Sequence, residues 1–340
     1  MLNEKKSIHT ICSILTKGKY QLNKPFEADC EVIEWGDKYL LYTIDGFSAE
    51  DKFRENDPFI LGYNLSVAAI SDILACGGKP LYYSHSLVIN KDWDEKYLAQ
   101  FTKGIKCALQ HFCIDFIGGD FGTADQWNYT VVVLGETDTP LMRSGASEGD
   151  FIYISGPIGT GNFEAMMNIY TDKKLLAPLL NKYKIKLVPR LAESRLIKKY
   201  ATSCIDTSDG LCHSLLQLAN SNHLGFLIEN IPYHNIAQKA AVLIGKPVEM
   251  LMLAECGEYE LLFTIPEKNE ADFLSEANKS SMKFYKIGVL TKNKNYFLNK
   301  DKWSLDLSHF DISARDFQNV KEYIKTLQNL LKQQWIEKEL

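Results

Sequence analysis

The sequence lacks the features that would assign it to several large classes of protein. Its 340 residues contain only short apolar runs, such as Thr130–Leu134 and Ala240–Ile244, which are far from the length of a membrane span. The first ten residues carry charge with no apolar stretch behind them, so no secretory signal is expected. Lys and Arg number 38 against 43 Asp and Glu, giving a net charge of −5 and no basic excess for nucleic acid. We therefore expect a cytoplasmic globular protein that binds neither nucleic acid nor membrane.

Common metal and nucleotide motifs are also missing. The 8 cysteines are scattered and form no C-x-x-C pair, and the 7 histidines form no H-x-x-x-H arrangement, which favours reduced thiols and argues against zinc. The chain has neither a G-x-x-x-x-G-K-[ST] loop nor a G-x-G-x-x-G fingerprint. The glycine loop at 156–161 follows a predicted strand. Two interpretations of it stay open, a phosphate cradle and a simple turn.

The order of the predicted elements indicates a mixed α/β protein of the α+β type with two domains. The small polar segment RSGASEGD at 143–150 has the composition of a connection between domains. We therefore divide the chain into an N-terminal domain (1–142), a C-terminal α/β domain (143–316) and a helical extension (317–340). In the first domain we expect strands at 30–35, 39–44, 81–89, 114–117 and 129–135, and helices at 61–76 and 94–110.

Six aspartates are candidate site residues: most fall at strand ends and helix starts, where ligand sites of α/β proteins usually lie, and Asp72 falls inside an apolar helix, where a lone carboxylate is costly unless it is paired or binds a cation. They are Asp29, Asp45, Asp72, Asp120, Asp206 and Asp209. Carboxylates that converge in one cleft repel one another unless hard cations join them, and Mg²⁺ is the cation that accompanies nucleotide phosphates. Each aspartate also has a structural explanation that stays open, such as a helix N-cap for Asp209 or a turn for Asp45 and Asp120.

Five segments, taken in order along the chain, resemble the motifs of the thiamine-monophosphate kinase family. They are ISDILACGGKP (70–80), IGGDFG (117–122), RSGASEGDFIYISG (143–156), CIDTSDGL (204–211) and CGEYELLF (256–263). The resemblance implies the two-domain fold of the aminoimidazole ribonucleotide synthetase-like superfamily. In that fold the N-terminal sheet pairs with that of a second subunit in a homodimer, and ATP lies between the domains.

The resemblance also implies a reaction and a set of site residues. The family transfers the γ-phosphate of ATP directly to the phosphate of thiamine monophosphate, and it relies on alignment and several Mg²⁺ ions. The matched metal positions are Asp29, Thr43, Asp45, Asp72, Asp120, Asp206 and Asp209, of which Asp72, Asp120 and Asp209 are the expected catalytic residues. Nucleotide contacts fall on Phe101, Gly119, Asp120, Arg143 and Ser208, and substrate contacts fall on Lys52, Glu258 and Phe310.

The acceptor side departs from the family pattern more than the metal side does. Lys52 stands where the family has a histidine associated with its substrate, and Glu258 matches the substrate-side glutamate only after a one-residue gap. Ala28 and Ile44 replace an aspartate and a threonine of the metal motifs. Three functions therefore stay open: thiamine-monophosphate kinase, which we favour, a related ATP-dependent enzyme that phosphorylates a different acceptor, and a silent nucleotide-binding scaffold.

Overall fold

The computed structural model describes residues 4–49, 57–170 and 185–337 of the protein. Within these ranges the chain folds around two β-sheets. The helices are α1 (Glu4–Ile14), α2 (Pro58–Ala75), α3 (Glu95–Phe112), α4 (Thr160–Tyr170), α5 (Leu191–Tyr200), α6 (Leu211–Ser221), α7 (Asn235–Leu243), α8 (Met250–Leu253), α9 (Glu267–Lys279) and α10 (Val320–Gln333). The strands are β1 (Glu31–Trp35), β2 (Lys38–Ser48), β3 (Lys79–Asn90), β4 (Asp115–Ala124), β5 (Asn128–Thr137), β6 (Phe151–Ile154), β7 (Ser203–Asp206), β8 (Gly225–Ile228), β9 (Leu261–Ile265), β10 (Tyr285–Thr291), β11 (Tyr296–Lys300), β12 (Trp303–Asp306) and β13 (Trp335–Glu337).

The first sheet has five strands in the order β1-β2-β5-β3-β4, and its buried face packs against α2 and α3. Alternate residues of β5, among them Val131 and Val133, are fully buried, because successive side chains of a strand point to opposite faces. In β2, Thr43 lies opposite Val133 and Asp45 lies opposite Val131. Both polar side chains are therefore on the buried face, beneath α2.

Strand β4 differs from its prediction. The sequence predicts a short buried strand that ends at Gly118-Gly119-Asp120, but the strand continues to Ala124, lies at the edge of the sheet and is mostly exposed. Gly118 has a φ of +122°, and the pairing with β3 shifts its register between Tyr83 and His85. The glycines therefore form an irregularity within the strand and do not end it.

Helix α2 is the apolar centre of the first half. It begins at Pro58 after the N-cap Asp57, whose side chain accepts a hydrogen bond from the Ile60 N–H at 3.1 Å, and Gly77 follows its end at a φ of +65°. In the described part of the chain, α2 alone is long and apolar enough to cross a membrane. However, 78% of that 18-residue window is buried inside the protein, as expected for a core helix.

The second sheet has eight strands in the order β13-β12-β11-β8-β10-β6-β9-β7. Strand β7 lies at its edge and faces the first half, where it contacts α2. Residues of both halves share one hydrophobic core, including Ile73 of α2, Cys204 of β7 and Phe263 of β9. A second core belongs to residues after 150. The end of β7 is thus held next to the C-terminal part of α2.

The C-terminal extension is only partly helical. The sequence predicts an amphipathic helix from about residue 317 to the end, but α10 ends at Gln333 and β13 then pairs with β12 in the second sheet. The sequence analysis also missed the hairpin of β11 and β12. Its turn contains Asp301 at a φ of +51°, where a glycine would have given a clearer signal. The described part of the extension is therefore integral to the second sheet.

Candidate metal and phosphate site

Three carboxylates from distant parts of the chain meet at the junction of the two sheets. Asp29 precedes β1, Asp72 lies near the end of α2, and Asp206 ends β7. One oxygen from each of the three lies within 4.8 Å of the others. We call these three residues the acidic cluster. All three were predicted metal ligands, and the fold brings them together because α2 packs against β7.

Hydroxyl groups fix the carboxylates of the acidic cluster. Thr43, a predicted ligand on the buried face of β2, donates a hydrogen bond to Asp72 Oδ2 at 2.6 Å. Ser208 donates to Asp206 Oδ1 through its hydroxyl at 2.8 Å and through its backbone N–H at 3.2 Å. Ser71 donates to the other oxygen of Asp206. The sequence analysis missed Ser71, although a polar residue beside Asp72 in an apolar helix is a signal that could have identified it.

Arg143 closes one side of the cluster through an ion pair with Asp29. Its Nη2 lies 2.8 Å from Asp29 Oδ1, and the two side chains are 14% and 2% exposed. Burial lowers the pKa of Arg143, but the charges of Asp29 and its neighbours outweigh this effect and raise the pKa above its ordinary value. The second oxygen of Asp29, Oδ2, is buried and has no hydrogen-bond partner among the described residues. A buried carboxylate oxygen of this kind is an available ligand position.

The electrostatics of the cluster favour protons or cations. Burial, together with the charges of Asp45 and Asp206, raises the pKa of Asp72 well above its ordinary range. Burial and the charges of Asp206 and Asp29 raise the pKa of Asp45 to about 7. Burial and the charge of Asp29 raise the pKa of Asp206 to about 6. Burial is the largest cause of each shift, and repulsion among the carboxylates adds to it; a divalent cation would offset both effects.

The donor set fits a hard divalent cation. Every ligand atom of the cluster is an oxygen, Asp29 supplies one without a partner, and oxygen ligands are those that Mg²⁺ prefers. Asp45 adds a fourth carboxylate, whose pKa responds to the charges of Asp29 and Asp206. The arrangement can therefore hold Mg²⁺ at the junction of the two sheets.

Of the four predicted ligands outside the acidic cluster, Thr43 and Asp45 adjoin it, and the other two, Asp120 and Asp209, are exposed. Asp120 is exposed on edge strand β4. In the pairing of β3 with β4, His85 lies opposite Gly119, and the next residues of the two strands, Ser86 and Asp120, form the next pair. Because His85 and Asp45 both lie opposite Val131, strand alternation places Asp120 on the other face of the sheet from Asp45. Asp209 is exposed before α6, whose N-cap is Gly210 and has no side-chain cap, so the N-cap explanation for Asp209 is wrong.

The predicted nucleotide contacts have different surroundings. Arg143 and Ser208 belong to the wall of the acidic cluster, as described above. Gly119 packs so closely on β3 that a Cβ atom there would lie 2.1 Å from the carbonyl oxygen of His85. Phe101 is fully buried and packs edge-on against Tyr129, with 5.2 Å between ring centroids. Its side chain is thus part of the hydrophobic core and does not face the site.

The glycine loop at 156–161 binds an anion that belongs to the chain itself. The backbone N–H groups of Gly159 and Gly161 each donate to Glu258 Oε1 at 2.8 Å. Glu258 is buried, and the residues before it are also held: Cys256 N–H donates to Asn162, and Gly257 N–H donates to the carbonyl of Ser208. The loop therefore anchors the predicted substrate-side glutamate, and these two N–H groups are not open to a phosphate.

Of the two remaining predicted substrate residues, only Phe310 lies among the described residues. Phe310 is fully buried in the second core, within a short 3₁₀ turn at Ser308–Phe310. Lys52 lies outside the described residues.

Comparisons with known proteins show what the chain is similar to. The family model described as AIR synthase related protein, N-terminal domain, matches residues 27–137. The chain is 30% identical over 243 residues to the thiamine-monophosphate kinase of Pyrococcus abyssi, covering 71% of this chain and 76% of that protein. It is 28% identical over 260 residues to that of Aquifex aeolicus, covering 72% and 82%. The structure of AaThiL complexed with AMPPCP and TMP superposes with a TM-score of 0.72 at 24% identity, covering 87% of this chain and 93% of that one.

Proposed function

The chain belongs to the thiamine-monophosphate kinase family, and from this premise we propose that it transfers the γ-phosphate of ATP to the phosphate of thiamine monophosphate. The acidic cluster carries the proposal, because carboxylate oxygens of three buried or half-buried aspartates lie within 4.8 Å of one another where the two sheets meet, and a divalent cation would stabilise this arrangement. Relatives that bear the activity in their names, and a similar structure that holds AMPPCP and TMP, support the choice of substrates.

We assign the metal positions to the residues in two groups. Asp29, Asp72 and Asp206 hold Mg²⁺ within the cluster, with Asp45 and Thr43 beside them. Asp120 and Asp209 are exposed outside the cluster, and we assign them to further metal ions; Asp120 lies on the face of the first sheet opposite Asp45, so its ion is separate from that of the cluster. When bound, Mg²⁺ neutralises the charge of the phosphates that must approach each other. The hydroxyls of Thr43, Ser71 and Ser208 keep the carboxylates oriented for this task.

We assign the nucleotide and the acceptor to separate sets of residues. Arg143, Ser208 and the backbone at Gly119 are the proposed ATP contacts, whereas Phe101 is left out because its side chain is buried. Glu258, fixed by the glycine loop, and Lys52 are the proposed acceptor contacts. The acceptor is already an anion, so alignment of the two phosphates is the main requirement and a general base is not needed.

Further proposals concern assembly and location. In the described part of the chain, strand β4 is an edge strand paired on one side only, and it has three exposed apolar side chains, Phe116, Ile117 and Phe121. This is the kind of edge that a second subunit covers. We therefore propose a homodimer through the first sheet.

All eight cysteines are free thiols, which fits a cytoplasmic protein. The division at 142/143 and 316/317 also stays a proposal.

The first experiment is incubation of the purified protein with Mg-ATP and thiamine monophosphate, followed by chromatography for thiamine diphosphate. We expect product from the wild type and none from Asp72→Ala, with circular dichroism showing that the variant is folded. If nucleotide binds in a Mg²⁺-dependent way but no product forms, the acceptor assignment is wrong. The change at Lys52 would then point to the second candidate, an ATP-dependent enzyme for another acceptor.

A further inference from the structure

Helix α2 carries a stripe of polar contacts to the second half of the chain. Asn64, Ser71 and the carbonyl of Leu74 follow one another at spacings of seven and three residues, so they lie along one side of the helix. Ser71 donates to Asp206, and the Leu74 carbonyl accepts from Ser194 Oγ of α5 at 2.7 Å. Asp72 lies on the same helix, next to Ser71. The position of Asp72 therefore depends on how this stripe is held.

Asn64 is the far end of the stripe, and it binds the segment 185–190. The Asn64 side chain is 1% exposed, and both of its amide atoms are used. Its Nδ2 donates to the carbonyl of Ile185 at 2.8 Å, and its Oδ1 accepts from the N–H of Leu187 at 2.9 Å. Between them, the ammonium of Lys186 lies 3.8 Å from the ring centroid of Tyr63. A buried amide that satisfies two backbone groups of another segment fixes that segment in register.

The other end of the segment 185–190 is fixed to the second sheet by Arg190. Its Nε and Nη2 donate to the two carboxylate oxygens of Glu260 at 2.6 and 2.5 Å, and both side chains are nearly buried. Glu260 directly precedes β9, and its carbonyl accepts from Thr207 N–H at 2.9 Å, next to Asp206. A bidentate arginine–carboxylate pair restricts both distance and angle.

We propose that the segment 185–190 is a strap that sets the distance between Asp72 and Asp206, and that Asn64 and Arg190 are positioning residues of the metal centre. One end of the strap holds the helix that carries Asp72, and the other end holds the strand pair that carries Asp206. Neither residue touches the acidic cluster, so each acts through α2 or β9. The inference rests on the proposed function only in that the acidic cluster binds a divalent cation.

The test is direct binding of Mn²⁺, as a spectroscopic substitute for Mg²⁺, to the full-length protein by electron paramagnetic resonance. We expect Asn64→Leu, which keeps the side-chain size, and Arg190→Lys, which keeps the charge but loses the fork, each to weaken Mn²⁺ binding about tenfold, as loss of supporting groups commonly does. Arg190→Lys is the milder change and keeps the test open if Asn64→Leu fails to fold. Ser304→Ala is the control, because it removes a buried hydrogen bond to Asn299 (2.6 Å) far along the second sheet.

The outcomes separate the strap from the proposed reaction. If both variants lose thermal stability but bind Mn²⁺ as tightly as the wild type and Ser304→Ala do, the strap is merely structural and the inference is wrong. If the wild type binds no Mn²⁺, the metal centre and the inference fail together. If the wild type binds Mn²⁺ and the variants bind it more weakly, the inference holds, whether or not thiamine diphosphate is formed.

Discussion

Ser71 donates a hydrogen bond to Asp206. Ser71 is the neighbour of Asp72 on α2, and it thereby orients the carboxylate of Asp206 at the end of β7 in the second sheet. The contact explains why the two halves of the chain meet at this point. A serine hydroxyl is neutral and short, so it satisfies one oxygen of Asp206 without adding a competing charge. It leaves the like charges of the cluster for a cation to compensate.

Neutralising one carboxylate should separate stability from activity. Asp72 is buried among like charges, so Asp72→Asn removes repulsion at no change in size. We expect the variant, without metal, to melt a few degrees above the wild type without metal. With Mg²⁺ present, we expect it to form thiamine diphosphate at about one hundredth of the wild-type rate or below. Differential scanning calorimetry with EDTA and a chromatographic product assay measure the two effects. Asp272→Asn, on α9, is the matched control. A melting temperature that falls sharply would show that the charges are not in conflict.

The raised pKa values predict an unusual dependence of stability on pH. In the folded, metal-free protein the pKa of Asp45 is about 7 and that of Asp206 about 6, against ordinary values of 3.8. Between these values the folded state holds more protons than the unfolded state, so the free energy of unfolding contributed by these groups falls as pH rises from about 4 to about 7. We expect the wild-type melting temperature in EDTA to be higher at pH 5.5 than at pH 8.

Mg²⁺ should counteract this loss of stability at high pH, because it takes the place of the protons that the carboxylates release. The increase in melting temperature on adding Mg²⁺ should therefore be larger at pH 8 than at pH 5.5, and Asp45→Asn should reduce the difference. An equal effect of Mg²⁺ at the two pH values would contradict the assignment of these residues to a metal site.

The members of the acidic cluster could be predicted from the sequence. The residues that hold them in place, and which other aspartates lie beside them, could not. The family resemblance predicts Asp29, Asp72 and Asp206 as metal ligands, and the fold brings the three together. Whether Asp120 joins them depends on which face of edge strand β4 its side chain occupies. The irregularity at Gly118 adds one residue to β4 and so changes the face on which the following residues lie. The strap contact of Asn64 joins residues more than 120 apart in the chain, a pairing that no local pattern contains.

Exposed apolar side chains on β4 predict the mode of assembly. Phe121 is 59% exposed on an unpaired edge, so Phe121→Lys should place a charge in the proposed subunit interface and shift the protein from dimer to monomer in analytical ultracentrifugation. Leu243→Lys is the control, since Leu243 is 84% exposed on α7, away from the first sheet. If the wild type sediments as a monomer, the homodimer proposal is wrong; if the wild type is a dimer and both variants remain dimers, the interface lies elsewhere.

Glu258 gives the last prediction, which tests the acceptor side. Its carboxylate accepts hydrogen bonds from two backbone N–H groups at 2.8 Å. Hydrogen bonds to a charged acceptor are stronger than those to a neutral acceptor. Glu258→Gln should therefore lower stability by about 1–2 kcal/mol and loosen the loop that presents this residue. We expect KM for thiamine monophosphate to rise about tenfold while KM for ATP stays near that of the wild type. Steady-state kinetics with each substrate varied in turn measures the two constants, and Glu267→Gln on the exposed start of α9 is the matched control. Equal increases in both KM values would show that the glycine loop supports the whole site, so Glu258 would not be an acceptor-specific residue.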